Sequence, residues 1–310
     1  MANDPFNRNF DPQTGQSVEI APGMRRVTAP NASPMTFTGT NTYLLGEREI
    51  AVIDPGPDDP AHLAAILAAV GDAAKISHVF VTHSHVDHSP LARRLGQIAG
   101  APVLALGDSY AYRSVRMVEL ASIAELGGGE GVDVDFAPDI QLTDGEIFQT
   151  AEWSLEAIAT PGHFSNHMCF HWAAENAAFS GDHVMGWATT LVSPPDGDLT
   201  AFMNSLAIMA ARNDDRYFPG HGAPVADPSG MVSYQIGHRK SREAQILECL
   251  TSGPATPRGL TDRIYTDIPA SLIPAAARNV FSHLLDLHAR NLVYCRDKLS
   301  PNAAFSLRMK

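Results

Sequence analysis

The stretch Val79-Phe80-Val81-Thr82-His83-Ser84-His85-Val86-Asp87-His88-Ser89-Pro90 decides how this chain is read. Its first three residues form an apolar run suited to a buried strand, and Ser89-Pro90 has the chemistry of a helix cap and first helical position. Between them His83, His85, Asp87 and His88 place four metal-ligating side chains within six residues. A strand end and a helix start hold such a loop from both sides, so its side chains converge without the entropy of a long connection. An isolated histidine near a turn is ordinarily a surface or core residue. Three of them with an aspartate, between two framework elements, point to metal.

Outward from this stretch, Asn41 to Leu45 and Ile50 to Asp54 are β-like runs around a polar turn at Glu47 to Glu49, a hairpin pattern. Asp59-Pro60 starts a helix that Gly71 stops, and residues 77–82 form the strand entering the ligand loop. A helix over 90–98, a strand over 102–106 and a helix over 110–126, ended by Gly127-Gly128-Gly129, follow. Residues 132–136, 146–150, 153–159, 167–172 and 176–180 read as strands, 199–211 as a helix and 216–218 as a short strand. This interleaving predicts an α/β layered domain. Residues 1–22 read as a surface arm, and a long helix from Ser229 to Leu250 holds a domain boundary near Gly237. Helices over 256–265 and 271–290 and a strand at 292–294 then have the order of a winged helix. The expected organisation is an arm at 1–22, a catalytic domain at 23–237 and a winged-helix-like domain at 238–310.

A 45% hydrophobic fraction in 310 residues suffices for one large and one small core. The net charge of −12 is uneven: residues 238–310 hold 11 Lys+Arg against 6 Asp+Glu, and residues 1–237 hold 11 against 28. The acidic body repels a long polyanion, whereas the basic tail attracts one. No apolar run approaches the roughly eighteen residues of a membrane span, and the polar first twenty residues lack a signal-peptide core. A cytoplasmic protein with no membrane partner is expected. Cys169, Cys249 and Cys295 lack metal-type spacing and read as reduced core thiols.

Three further candidates follow strand-like runs: His163 in Thr160-Pro161-Gly162-His163, Asp182 in Ser180-Gly181-Asp182-His183, and His221 in Pro219-Gly220-His221-Gly222. Each has a glycine before it, which permits a sharp turn off a strand end. Side chains so placed point from one sheet edge into one cleft. His167 and His183 adjoin these ligands and are candidate substrate-side or supporting residues. His62, His78, His171, His238, His283 and His288 sit in no such motif and read as structural.

Thr82 to His88, Pro161-Gly162-His163, Ser180-Gly181-Asp182 and Pro219-Gly220-His221-Gly222 together resemble the metallo-β-lactamase superfamily of αββα hydrolases, and Asn41 to Leu45 and Ile53-Asp54-Pro55-Gly56 resemble its opening strands. The resemblance covers about residues 36–225 and implies a four-layer αββα sandwich followed by the winged helix. It implies one zinc ion on His83, His85 and His163, a second on Asp87, His88 and His221, and Asp182 bridging the two, with manganese or iron as alternatives. Such a centre lowers the pKa of water from about 15.7 toward 7 and offsets charge on an attacked carbonyl. Asp182 is similar to the glyoxalase II and nuclease branches, and His85 stands where flavodiiron relatives carry glutamate. Asn166 and Leu91 depart from the family pattern without removing a ligand.

The tail and the segment Asp182 to Asp198 resemble β-lactamase-like proteins with a C-terminal winged helix, a group of endoribonucleases, acyl-carrier thioesterases and other hydrolases. Two enzymatic expectations follow. One is hydrolysis of a small ester, thioester or lactone by a bridging hydroxide, with the second metal, or Asp87 through water, assisting the leaving group. The other is cleavage of single-stranded RNA gripped by Arg239, Lys240 and Arg242. A non-catalytic protein, whose winged helix binds DNA or a partner and whose metal is structural, is the third reading, and a homo-oligomer is a further expectation.

Overall fold

The computed structural model describes residues 4–123 and 131–308, so part of the helix expected over 110–126, and its glycine stop, lie outside the described residues. Fourteen strands and seven α-helices are described. One sheet has seven strands in sequential order: β1 (Ser17–Ala21), β2 (Met24–Thr28), β3 (Asn41–Leu45), β4 (Ile50–Ile53), β5 (Ile76–Phe80), β6 (Val103–Ala105) and β7 (Ile140–Gln141). The first four are antiparallel neighbours, and β4 to β7 run parallel. The second sheet, in the order β12-β11-β10-β9-β8, contains β8 (Ile147–Gln149), β9 (Ser154–Ala159), β10 (Met168–Trp172), β11 (Ala177–Gly181) and β12 (Arg216–Pro219).

Alternation along the strands builds the layers. In β4, Ala51 and Ile53 face the second sheet, while Ile50 and Val52 face α1 (Pro60–Val70) and α2 (Leu91–Ala99). In β10 and β11, Met168, Phe170, Ala177 and Phe179 enter the space between sheets, while Cys169 and Ala178 meet α4 (Leu199–Ala210) and the start of α5 (Pro228–Thr251). Strands apolar on both faces require cover on both, and the result is the α/β/β/α sandwich. Each large side chain so buried contributes about 1.5–3 kcal/mol.

The small C-terminal unit contains α6 (Pro257–Ile264), α7 (Ile273–Ala289) and the hairpin of β13 (Val293–Cys295) with β14 (Phe305–Leu307). Its core takes Ile246 and Leu250 from the end of α5, whereas Met231 and Val232 from the start of that helix belong to the sandwich. It also takes Met117 and Leu120 from α3 (Val115–Ala121), a helix assigned by order alone to the sandwich.

Four local expectations change. The helix read from residue 110 begins only at Val115, where Ser114 caps it by accepting the Met117 N–H, and residues 110–112 are turn. Residues 17–21, read as part of an arm, are strand β1, because Val18 and Glu19 pair with Arg26 and Arg25. Residues 132–136 form no strand; Val132 makes a single bridge to His85. Ser89 does not cap α2, and its hydroxyl instead donates to Asp133 Oδ2 at 2.7 Å.

Candidate metal centre

β5 ends at the ligand loop, and β9, β11 and β12 end just before His163, Asp182 and His221. β10 is antiparallel to both β9 and β11, and β11 is parallel to β12, so these three C-terminal ends share one edge. Two of the preceding glycines act differently. Gly181 has φ +48°, the left-handed region, and an added Cβ there would lie 2.6 Å from His167 Nε2. Gly220 is needed for space: a Cβ would stand 2.6 Å from both Asp182 Oδ1 and His88 Cε1.

All seven expected ligands meet there. His85 Nδ1 lies 2.9 Å from His83 Nε2 and 3.2 Å from His163 Nε2. His221 Nε2 lies 3.3 Å from His88 Nε2 and 3.2 Å from Asp87 Oδ2. Asp182 stands between the trios, with Oδ2 at 3.7 Å from His163 Nε2 and 3.4 Å from His221 Nε2, and Oδ1 at 3.6 Å from His88 Nε2. Among the described residues, three overlapping groups can hold a metal ion: His83/His85/His163, His83/His88/Asp182 and Asp87/His88/His221.

The outer partners fix where the lone pairs point. His163 Nδ1 donates to the Leu191 carbonyl at 2.8 Å, His221 Nδ1 to the Gly39 carbonyl at 3.2 Å, and His88 Nδ1 to Asp54 Oδ2 at 2.9 Å. Thr82 donates its hydroxyl proton to Asp54 Oδ2 at 2.8 Å and so accepts from His83 Nδ1 at 3.0 Å. With those partners taken, each Nε2 faces the centre: those of His83 and His163 present an unprotonated edge, and those of His88 and His221 would do so once a cation displaced their second proton. Asp182 Oδ1 is buried with no hydrogen-bond partner. Converging imidazole lone pairs and an unsatisfied buried carboxylate oxygen fit cations and little else.

Electrostatics divides the cluster. Burial, reinforced by neighbouring imidazoles, holds His83 well below the usual histidine range, and burial beside His163 lowers His85 to about 3. For His88 burial is outweighed by Asp87, Asp182 and Asp54, which hold it well above that range; for His221 it is outweighed by Asp182 and Asp87, which push it up to about 9. Against their own burial, Asp87 and Asp182 are held well below the usual carboxylate range, Asp87 chiefly by His88 and Asp182 chiefly by His221. Protons occupy, in part, the place of cations.

His167 and His183, expected beside substrate, are fully buried and do not line the cavity over the cluster. His167 Nε2 accepts the Asp182 N–H at 3.2 Å, and its Nδ1 donates to Thr160 Oγ1 at 2.8 Å. His183 packs on Phe202 with ring centroids 4.8 Å apart. Asn166, the departure from the family pattern, accepts Ser84 N–H at 3.2 Å and donates to the Asp108 carbonyl at 3.0 Å and the Gly107 carbonyl at 3.2 Å. An aspartate there would have no donor for those carbonyls. Leu91 is core. Asp54 is a supporting residue that the sequence placed in the Ile53-Asp54-Pro55-Gly56 motif at a strand end without assigning it a role.

A cavity of about 500 Å³ opens over His85, Asp87, His163 and Asp182. Met35, Val86 and Leu191 line it with Pro274, Ala275 and Arg278 of α7, so the C-terminal unit forms one wall. A second cavity of about 460 Å³, beside α2 and lined by Arg93, Gln97 and Asp139, contains none of the seven residues.

The sequence matches the metallo-beta-lactamase superfamily over residues 35–221 and the beta-lactamase associated winged helix domain over residues 256–298. It is 32% identical over 275 residues to a beta-lactamase-like protein 2 homolog of Drosophila melanogaster, covering 84% of this chain and 86% of that one. It is 31% identical over 241 residues to an atrochrysone carboxyl ACP thioesterase of Aspergillus terreus, covering 77% of this chain and 67% of that one. A beta-lactamase domain protein from Burkholderia ambifaria has the same fold, with TM-score 0.79 at 20% identity over 97% of this chain and 96% of that one. With the sandwich, the ligand cluster and the family match in agreement, the chain is a metallo-beta-lactamase superfamily hydrolase that carries the family's associated winged helix.

Proposed function

We propose that the protein hydrolyses an acyl thioester or a related small ester at a two-cation centre. The observation that carries this reading is the cavity: its floor is the His/Asp cluster and its walls include Met35, Val86, Leu191, Pro274 and Ala275, surfaces suited to an acyl chain. Relatives named as thioesterases support it. His83, His85 and His163 would hold one cation, Asp87, His88 and His221 the other, and Asp182 would contact both. Five imidazoles and two carboxylates suit zinc first, with manganese or iron as alternatives. When bound, the cations supply a water that ionises near neutral pH and an electrophile for the carbonyl oxygen.

The chain's own residues do the rest. Asp87, held by Thr40 Oγ1 at 3.4 Å, is the ligand carboxylate with the most open side chain, 21% exposed against 9% for Asp182. It would orient a water that relays the proton of the attacking water to the departing sulfur or oxygen. Met35, Val86 and Leu191 seat the acyl group, and Pro274 and Ala275 exclude bulk water. The RNA reading loses part of its grip: Arg239 is 2% exposed and spends donors on the Thr190 carbonyl and on Asn279 Oδ1, and Arg242 stacks 3.9 Å over Tyr265.

Zinc- and manganese-loaded protein should be screened against thioesters, lactones and fluorescent single-stranded RNA. Turnover of a thioester, lost by more than about 100-fold in His85→Ala, is the expected result. Salt-sensitive RNA cleavage without acyl turnover would overturn the proposal.

A further inference from the structure

The cavity's ionisable lining is unevenly distributed. His85, Asp87, His163 and Asp182 belong to the ligand cluster, and Asp196 in the wall pairs with Arg113 at 2.7 Å with little exposure. Arg278 is the basic side chain among the lining residues. It follows Pro274 by one turn of α7, so both side chains lie on one helix face and meet the cavity together. That helix is held in place from several elements: Arg239 of α5 donates to Asn279 Oδ1 at 2.7 Å, Thr200 Oγ1 of α4 to Asp286 Oδ1 at 2.7 Å, and Arg116 of α3 to the Leu285 carbonyl at 2.7 Å. Arg278 is engaged within the protein. A guanidinium has five N–H donors in a fixed fork, so an internal contact and a ligand coexist on it.

We propose that Arg278 forms a subsite for an anionic oxygen group of the substrate, set several bonds from the scissile carbonyl. A carboxylate at the far end of the acyl chain and a phosphate on the carrier arm share that chemistry, and the arginine fork matches either one. An attractive charge here has something to overcome, because residues 1–237 carry 28 acidic against 11 basic side chains. The inference rests on the thioesterase reading and names its substrate class.

The test uses the full-length zinc-loaded protein and two substrate pairs. Butyryl- and succinyl-N-acetylcysteamine probe the acyl carboxylate; butyryl-pantetheine and butyryl-4′-phosphopantetheine probe the phosphate. Wild type should favour the charged member of one pair in kcat/KM, and the responding pair identifies the source of the charge. In Arg278→Gln the loss on that charged member should exceed the loss on its neutral counterpart by about 10- to 100-fold, the range of a hydrogen bond to a charged group. Arg278→Lys keeps the charge without the fork; it should retain part of the preference and carries the test if the Gln variant does not fold. Equal losses on charged and neutral members, or no charge preference by wild type in either pair, overturn the subsite. Failure to cleave any of the four thioesters overturns the functional reading instead.

Discussion

His88 and His221 in the ligand cluster and His238 and His283 in the seam between α5 and α7 are all imidazoles removed from water to a large degree, yet they are poised oppositely. Aspartates surround the first two and hold them above the ordinary histidine range despite burial. In the seam, burial acts together with the Arg239 and Arg242 guanidiniums, lowering His238 to about 4 and His283 well below its ordinary value. The lesson is that carboxylates around a buried histidine favour positive charge there, whereas guanidiniums keep it a neutral packing group. Consistent with this, no metal-type ligand group forms in the seam among the described residues.

The largest expected effect breaks the first region. Asp182→Asn leaves His88, His163 and His221 without the carboxylate they share, and metal affinity should fall by more than about 100-fold in chelator competition. Undiminished affinity would remove Asp182 from the centre. A smaller loss, about 10- to 100-fold, is expected for Asp54→Asn, which weakens the acceptor for His88 Nδ1 while leaving every ligand in place. Wild-type metal retention in that variant would show that His88 is oriented by packing alone.

The smallest effect sharpens the contrast through pH. Unfolded His238 binds a proton below its ordinary 6.5, but folded His238 does so only near 4. Its contribution to stability is therefore complete above pH 6.5 and is lost as pH falls toward 4. His221 in metal-free protein has the reverse sign: with a folded value near 9, its contribution is present below pH 6.5 and is lost as pH rises through 9. Urea unfolding of metal-free protein across pH 4 to 9 should show a shallower acid decline in His238→Gln and a shallower alkaline decline in His221→Gln. The same slope in variant and wild type would break the pairing.

How much of this was legible in the sequence follows from the range of each interaction. The convergence of the seven candidate ligands was readable because each sits in a short motif at the end of an apolar run, and β3 to β5 and β9 to β12 were readable from local pattern. The edge pair was harder: β1 alternates exposed and half-buried residues beside Gly15 and Gly23, so its pattern is that of a polar arm. Val132, Val134 and Phe136 alternate like a strand, but Val134 is 54% exposed and the segment has no ladder. Arg239 looked like a surface cation in a basic tail, because its face on α5 is set by Thr190 and Asn279, 49 and 40 residues away. The support of Asp54 for His88 spans 34 residues, so the motif holding Asp54 carried no sign of its partner.

The share of the cavity that α7 supplies separates two tasks along the chain. Among the described residues the candidate metal-holding groups all lie before residue 222, whereas Pro274, Ala275 and Arg278 of the cavity wall come from the appended unit. Exchanging that unit between relatives would therefore retune which molecules are admitted while leaving the reaction itself untouched. Diversification of such hydrolases can proceed by redrawing a single helix.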